Sequence, residues 1–146
     1  MMLDAYLDFL ENLSEARLPE LARLTTEDVR FADPFQQLHG RAAFEHCLRQ
    51  TLHDVAGLVF DVTHVGELAA RHPGDETIWA LRWNFSGALP RARIAAWSVT
   101  GMSEIHCRDG LVAAHVDHWD AAGGLYEHLP GLGFVLRHLR RKIAAA

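Results

Sequence analysis

The spacing of apolar and polar positions changes character once along this chain. Across residues 2–13, Leu3, Tyr6, Leu7, Leu10 and Leu13 recur at helical intervals, which predicts an amphipathic first helix. Pro19 suits the first turn of a short second helix reaching Leu24. Residues 29–31 predict a short strand, and Asp33–Pro34 forces the chain out of regular structure. After Gly40, a helix over 41–55 gathers Phe44, Cys47, Leu48, Thr51 and Leu52 on one stripe. Beyond Gly57 the period becomes two. Strands are predicted over 58–68, 76–87, 94–107 and 111–120, with Pro73–Gly74 in the first turn and Pro90 between the second and third. Arg108–Asp109–Gly110 is a hairpin signal. From Leu132 a last helix carries Val135, Leu136, Leu139 and Ile143 on one side and Arg137, Arg140, Arg141 and Lys142 elsewhere.

Helices, then an antiparallel meander, then a closing helix predict a single α+β domain over residues 1–146. Composition fits: 49% hydrophobic and 23% charged residues in 146 are enough to bury a core without metals or disulfides. The net charge of −5 argues against a general nucleic-acid binder. No stretch approaches the roughly 20 apolar residues of a membrane helix, and the start lacks a basic segment followed by an apolar run. With only Cys47 and Cys107, far apart, the expectation is a reduced, cytoplasmic protein.

Alternation then sorts the candidate chemistry. In the second strand Trp79, Leu81, Trp83 and Phe85 share one face, while Arg82, Asn84 and Ser86 share the other. In the last strand His115, Asp117 and Trp119 lie together, opposite Val112, Ala114, Val116 and His118. A two-residue turn at Asp109–Gly110 pairs Arg108 with Leu111, and then His115 with Glu104, Asp117 with Met102 and Trp119 with Thr100. A bulge would shift these pairs by one.

The layout, with Phe31–Ala32–Asp33–Pro34 ahead of Gly40–Arg41, resembles the nuclear transport factor 2-like superfamily, and within it the SnoaL-like domains. That group is related to ketosteroid isomerases, polyketide cyclases and limonene epoxide hydrolases. The resemblance implies a cystatin-like, cone-shaped, mostly antiparallel sheet, with N-terminal helices and a C-terminal helix enclosing a deep apolar pocket. It also implies roles. Asp33 falls where the isomerases place their general base, and Trp119 at one of their pocket aromatics. Val116–Asp117–His118–Trp119–Asp120 is similar to the final-strand motif of the epoxide hydrolases, whose first aspartate activates water. Arg82–Trp83–Asn84 resembles their Arg-x-Asp segment, with Asn84 in place of the acid; an amide cannot deliver that proton. Phe9 holds the isomerase tyrosine position, with Tyr6 on the same helical face, and Glu104 lies near the isomerases' second acid.

On this reading Asp117, Asp33 and Glu104 are acid/base candidates, Arg82 and Asn84 orient, and His115 shares a proton with Glu104. Trp119, Tyr6, Phe9 and Met102 are expected to touch substrate. Desolvation of a carboxylate in an apolar cavity raises its pKa, and Arg82 beside Asp117 opposes this. Structural explanations stand alongside. Asp117 and Arg82 can be an ion pair that fixes register. Asp33 can simply form the turn before Pro34. Glu104 and His115 can be a solvated cross-strand pair, and Trp119 ordinary core.

His115 and His118 are not a metal pair, because three residues apart on a strand they face opposite ways. No metal or cofactor is expected. The function expected is acid/base isomerisation, cyclisation or epoxide-type hydrolysis of a small apolar molecule; the alternative is a ligand-binding or dimerisation domain of the same fold. A homodimer is expected, with no nucleic-acid or membrane partner.

Overall fold

The computed structural model describes residues 2–144. Helix α1, Met2–Glu11, buries Leu3, Tyr6 and Leu10 of the predicted stripe and adds Phe9, while Leu7 is half-buried. The second helical segment begins as a 3₁₀ turn, Glu15–Glu20, with Pro19 inside it, and becomes helix α2, Leu21–Leu24. Strand β1, Thr25–Ala32, is longer than predicted, and the short β2, Gln37–His39, follows the Asp33–Pro34 turn. Helix α3, Arg41–Asp54, starts at Gly40, whose φ of 90° few other residues adopt, and buries Phe44 and Leu48. Four long strands follow: β3, Ala56–Leu68; β4, Thr77–Leu89; β5, Ile94–Arg108; and β6, Leu111–His118. Helix α4, Ala121–Gly124, and helix α5, Leu132–Ile143, end the chain.

The six strands form one curved, unclosed sheet in the order β2-β1-β6-β5-β4-β3. All neighbours are antiparallel except β1 and β6, which pair in parallel. Helices α1, α2 and α3 pack on one face of it. The fully buried side chains, among them Tyr6, Phe9, Leu18, Leu21, Phe44, Leu81 and Ile105, lie between those helices and that face. In β4, Leu81 and Trp83 point into this layer while Arg82 and Asn84 point out, as alternation requires. No helix among the described residues is long and apolar enough to cross a membrane.

The β5–β6 hairpin corrects the predicted register. Asp109 and Gly110, at φ of 51° and 76°, make the two-residue turn, and Arg108 does face Leu111 and Cys107 does face Val112. A bulge then takes up Ala113, so that His106 faces Ala114. Beyond it every expected partner is displaced by one: Ile105 faces His115, Ser103 faces Asp117 and Met102 faces His118. The bulge also turns Val112 into the core, on the same face as His115. Helix α5 packs on the 3₁₀ turn Tyr126–His128 and leaves Leu132, Phe134, Val135, Leu139 and Ile143 exposed.

Candidate active site

Between the helices and the inner face of the sheet lies a cavity of about 530 Å³. Strand β6 supplies His115 and Asp117 to it, and Trp119 follows directly after the strand; these are the three residues that alternation placed on one face. Beside them, Asp33, Phe35 and Gln36 come from the turn after β1, the strand paired with β6, and Cys47 comes from α3. Strands β3, β4 and β5 close the wall with Phe60, Trp83, Phe85 and Trp97. These rings pack edge to face or tilted at 5.4–6.3 Å, and Trp97 carries the contact on to Trp119 at 5.9 Å.

A chain of hydrogen bonds runs behind this wall, and the donor inventory fixes its direction. The Trp83 indole can only donate, so its Nε1–H goes to Ser103 Oγ at 2.7 Å. Ser103 therefore spends its own O–H on Asp117 Oδ1, at 2.5 Å. From the other side, His115 Nε2 lies 2.8 Å from the same Oδ1, and Tyr6 Oη lies 2.8 Å from His115 Nδ1. Tyr6 is fully buried; burial, reinforced by the Asp117 charge, holds its phenol well above its ordinary pKa. The carboxylate oxygen accepts from His115 Nε2–H, and in that tautomer of the neutral imidazole Nδ1 accepts the Tyr6 O–H. Among the described residues Oδ2 of Asp117 has no hydrogen-bond partner, and Asp117 lines the cavity. One oxygen is held and the other is free.

Asp33 does both things that were open for it. Its Oδ1 accepts the backbone N–H groups of Phe35 and Gln36 at 2.8 and 3.0 Å, the turn-forming role, and it also lines the cavity. Its Oδ2 lies 3.3 Å from Gln36 Nε2, which in turn reaches Cys47 Sγ at 3.3 Å. Burial pushes the Cys47 thiol up to about 11, and the charges of Asp33 and Asp117 push the same way.

The remaining predicted residues are elsewhere. Arg82, Asn84, Met102 and Glu104 all project from the outer face, because each occupies the opposite phase to Leu81, Trp83 and Ser103. Arg82 contacts Thr63 Oγ1 at 3.3 Å, and Asn84 accepts from Thr100 Oγ1 at 2.8 Å. Arg82 therefore does not pair with Asp117. Glu104 does not meet His115; it bridges His106 Nε2 at 3.1 Å and His118 Nε2 at 3.0 Å, and these contacts, His106 first, hold its carboxyl below the ordinary range. Met102 is exposed. Phe9 and Tyr6, ring centroids 6.2 Å apart, are both fully buried, and neither lines the cavity, so neither is placed to touch a ligand there. Ser103, Gln36 and Cys47 were missed as site residues. A serine among the inward positions Val99, Gly101 and Ile105 was the available signal for the first.

The helix-covered, curved and unclosed sheet is that of the nuclear transport factor 2-like, ketosteroid isomerase-like fold. The sequence model of the family described as SnoaL-like domain matches residues 6–115, and the chain belongs to that family. Solved structures share the fold. A protein assigned as a SnoaL-like polyketide cyclase from Jannaschia sp. CCS1 superposes with a TM-score of 0.67 at 14% identity, over 84% of this chain and 87% of that one. A protein with a ketosteroid isomerase-like fold from Catenulispora acidiphila DSM 44928, in complex with trimethylamine, gives 0.66 at 13% identity, over 85% and 88%. A nuclear transport factor 2-like protein of unknown function from Exiguobacterium sp. 255-15 gives 0.65 at 20% identity, over 82% and 98%. No curated protein matches the sequence.

Proposed function

We propose that this protein is an acid/base enzyme that moves a proton on a small, mostly apolar carbonyl compound, as an isomerase or cyclase does. The observation that carries the reading is the state of Asp117: Oδ1 fixed by Ser103 and His115, Oδ2 unpartnered at the cavity wall. Such a carboxylate takes a proton from the carbon beside a carbonyl, and the C–H electron pair moves to form the enolate. The protonated Oδ2 then returns the proton at another carbon, or the enolate carbon attacks a second carbonyl and closes a ring while the Oδ2 proton passes to the alkoxide so formed. Ser103 and His115 keep Oδ1 in place throughout. Epoxide-type hydrolysis finds less support, because Arg82 and Asn84 lie across the sheet from Asp117.

The test is deuterium uptake from D₂O at the α-carbons of steroid, terpenoid and polyketide-like ketones, followed by NMR. Asp117→Asn is expected to lower exchange by about 10²-fold or more. A folded Asp117→Asn protein that exchanges at the wild-type rate overturns the assignment. The second reading, ligand binding without chemistry, draws support from the Catenulispora relative's complex with trimethylamine in the same fold. Exchange of no ketone by the folded wild type moves the choice to it. The same proposal takes the chain as a cytoplasmic homodimer, supported by its two unpaired cysteines and by the exposed apolar side chains of α5. Sedimentation velocity on wild type and Val135→Glu/Leu139→Glu tests the dimer.

A further inference from the structure

Setting aside His46 and His115, the charged groups at the cavity are of one sign. Asp33, Asp54 and Asp117 line it, and among the described residues no lysine or arginine does, although the chain has 14 of them. Asp54 is matched by Arg91 at 3.5 Å. Asp33 and Asp117 have no such partner. Asp33 receives only amide N–H groups, and Asp117 only the Ser103 hydroxyl and His115. The Asp33 turn does not need a charge, since an asparagine Oδ1 would accept the same two backbone N–H groups. Around these carboxylates the wall is Phe31, Phe35, Trp83, Trp97 and Trp119, rings whose negative faces attract cations and whose bodies exclude water.

We propose that the cavity selects an organic cation, an amine or quaternary ammonium group on an apolar body, whose charge is drawn to Asp33 and Asp117 and whose body packs on the aromatic wall. The proposal rests on the cavity being the ligand site, and adds the class of molecule it takes. A neutral ligand of that size would leave two carboxylates uncompensated in a partly desolvated space, and an anion would be repelled by both. At about 530 Å³ the cavity is within the range of small-molecule sites.

Three para-substituted benzyl alcohols, bearing trimethylammonium, tert-butyl or carboxylate, test it. The first two match in shape and differ in charge. Binding is read by tryptophan fluorescence titration on the whole protein, with circular dichroism to check the fold of each variant. The cation is expected to bind about 10-fold tighter than the tert-butyl compound, and the carboxylate weakest. In Asp33→Asn the preference for the cation is expected to fall to within about 3-fold. Equal or tighter binding of the tert-butyl compound, tightest binding of the carboxylate, or failure of the cation to bind at all overturns the proposal. Equal binding of cation and isostere, with ketone exchange still lost in Asp117→Asn, removes the cation class alone. A cation preference with no ketone exchange removes the acid/base reading alone.

Discussion

Replacing Tyr6 by phenylalanine deletes the O–H that His115 Nδ1 accepts and leaves that nitrogen buried without a donor. The expected cost is about 1–3 kcal/mol in urea unfolding. A loss below about 0.5 kcal/mol, within the range of a neutral surface change, means that the hydrogen-bond chain runs differently. Cys47 reports on the same site without any ligand. Its alkylation rate is expected to climb with pH toward a midpoint of about 11, and to do so at lower pH in Asp33→Asn. An unmoved profile in the variant places the carboxylate's influence elsewhere. At this scale the sequence was half legible. His115, Asp117 and Trp119 fell together by alternation alone. Arg82 and Asn84 entered the predicted site through likeness of motif, against the phase of their own strand, where Trp83 inward already means Arg82 outward. Phase is a steric property of the strand, and it won.

Among the elements, β4 and β5 meet at a point with no spare room. A methyl group on Gly101 would sit 2.4 Å from the Trp83 ring and 3.0 Å from the His118 carbonyl. Gly101→Ala must therefore push the indole aside, breaking its hydrogen bond to Ser103 and slackening the support of Asp117. The expected signature is a changed near-ultraviolet dichroism and a loss of about 1–3 kcal/mol. An unchanged spectrum with full stability contradicts this packing. Long elements of clear period were readable: α1, α3 and the four long strands begin and end within a few residues of expectation. Strand β2 has three residues, too few to show a period, and its place is set by pairing with β1. The bulge at Ala113 was invisible for a different reason. Nothing in the local sequence distinguishes a regular hairpin from one with an extra residue, and the choice is made by which side chains the core accepts, here Val112 as well as His115.

For the whole molecule, the outer face of the sheet sets part of the acid stability. Glu104 ties β5 to β6 through His118, and its contacts, led by the one to His106, lower its carboxyl from the ordinary 4.5. A depressed carboxylate stabilises the fold fully above about pH 4.5 and loses that contribution as pH falls through its lowered value. Glu104→Gln is expected to unfold less steeply than wild type below that point, by under about 1 kcal/mol because the group is half exposed. Superimposable acid limbs in the two proteins exclude this contribution. The α+β class was readable at this scale from the order of periods. The parallel contact of β1 with β6 was not, because it joins segments that share no local signal.

That contact has a consequence for how the chain comes into being. Strand β1 finds its parallel neighbour only when residues 111–118 exist, and Tyr6 meets His115 across 109 positions. On a ribosome the helices that cover the cavity would emerge before β6, and part of their apolar surface would stay uncovered until residues 111–118 had been made. Contacts so distant along the chain are slow to close. In pulsed hydrogen exchange during refolding, amides of β3, β4 and β5 are expected to become protected before those of β1. The cavity is then the last thing to form, and whatever guards a nascent chain from aggregation must guard its N-terminal helices longest.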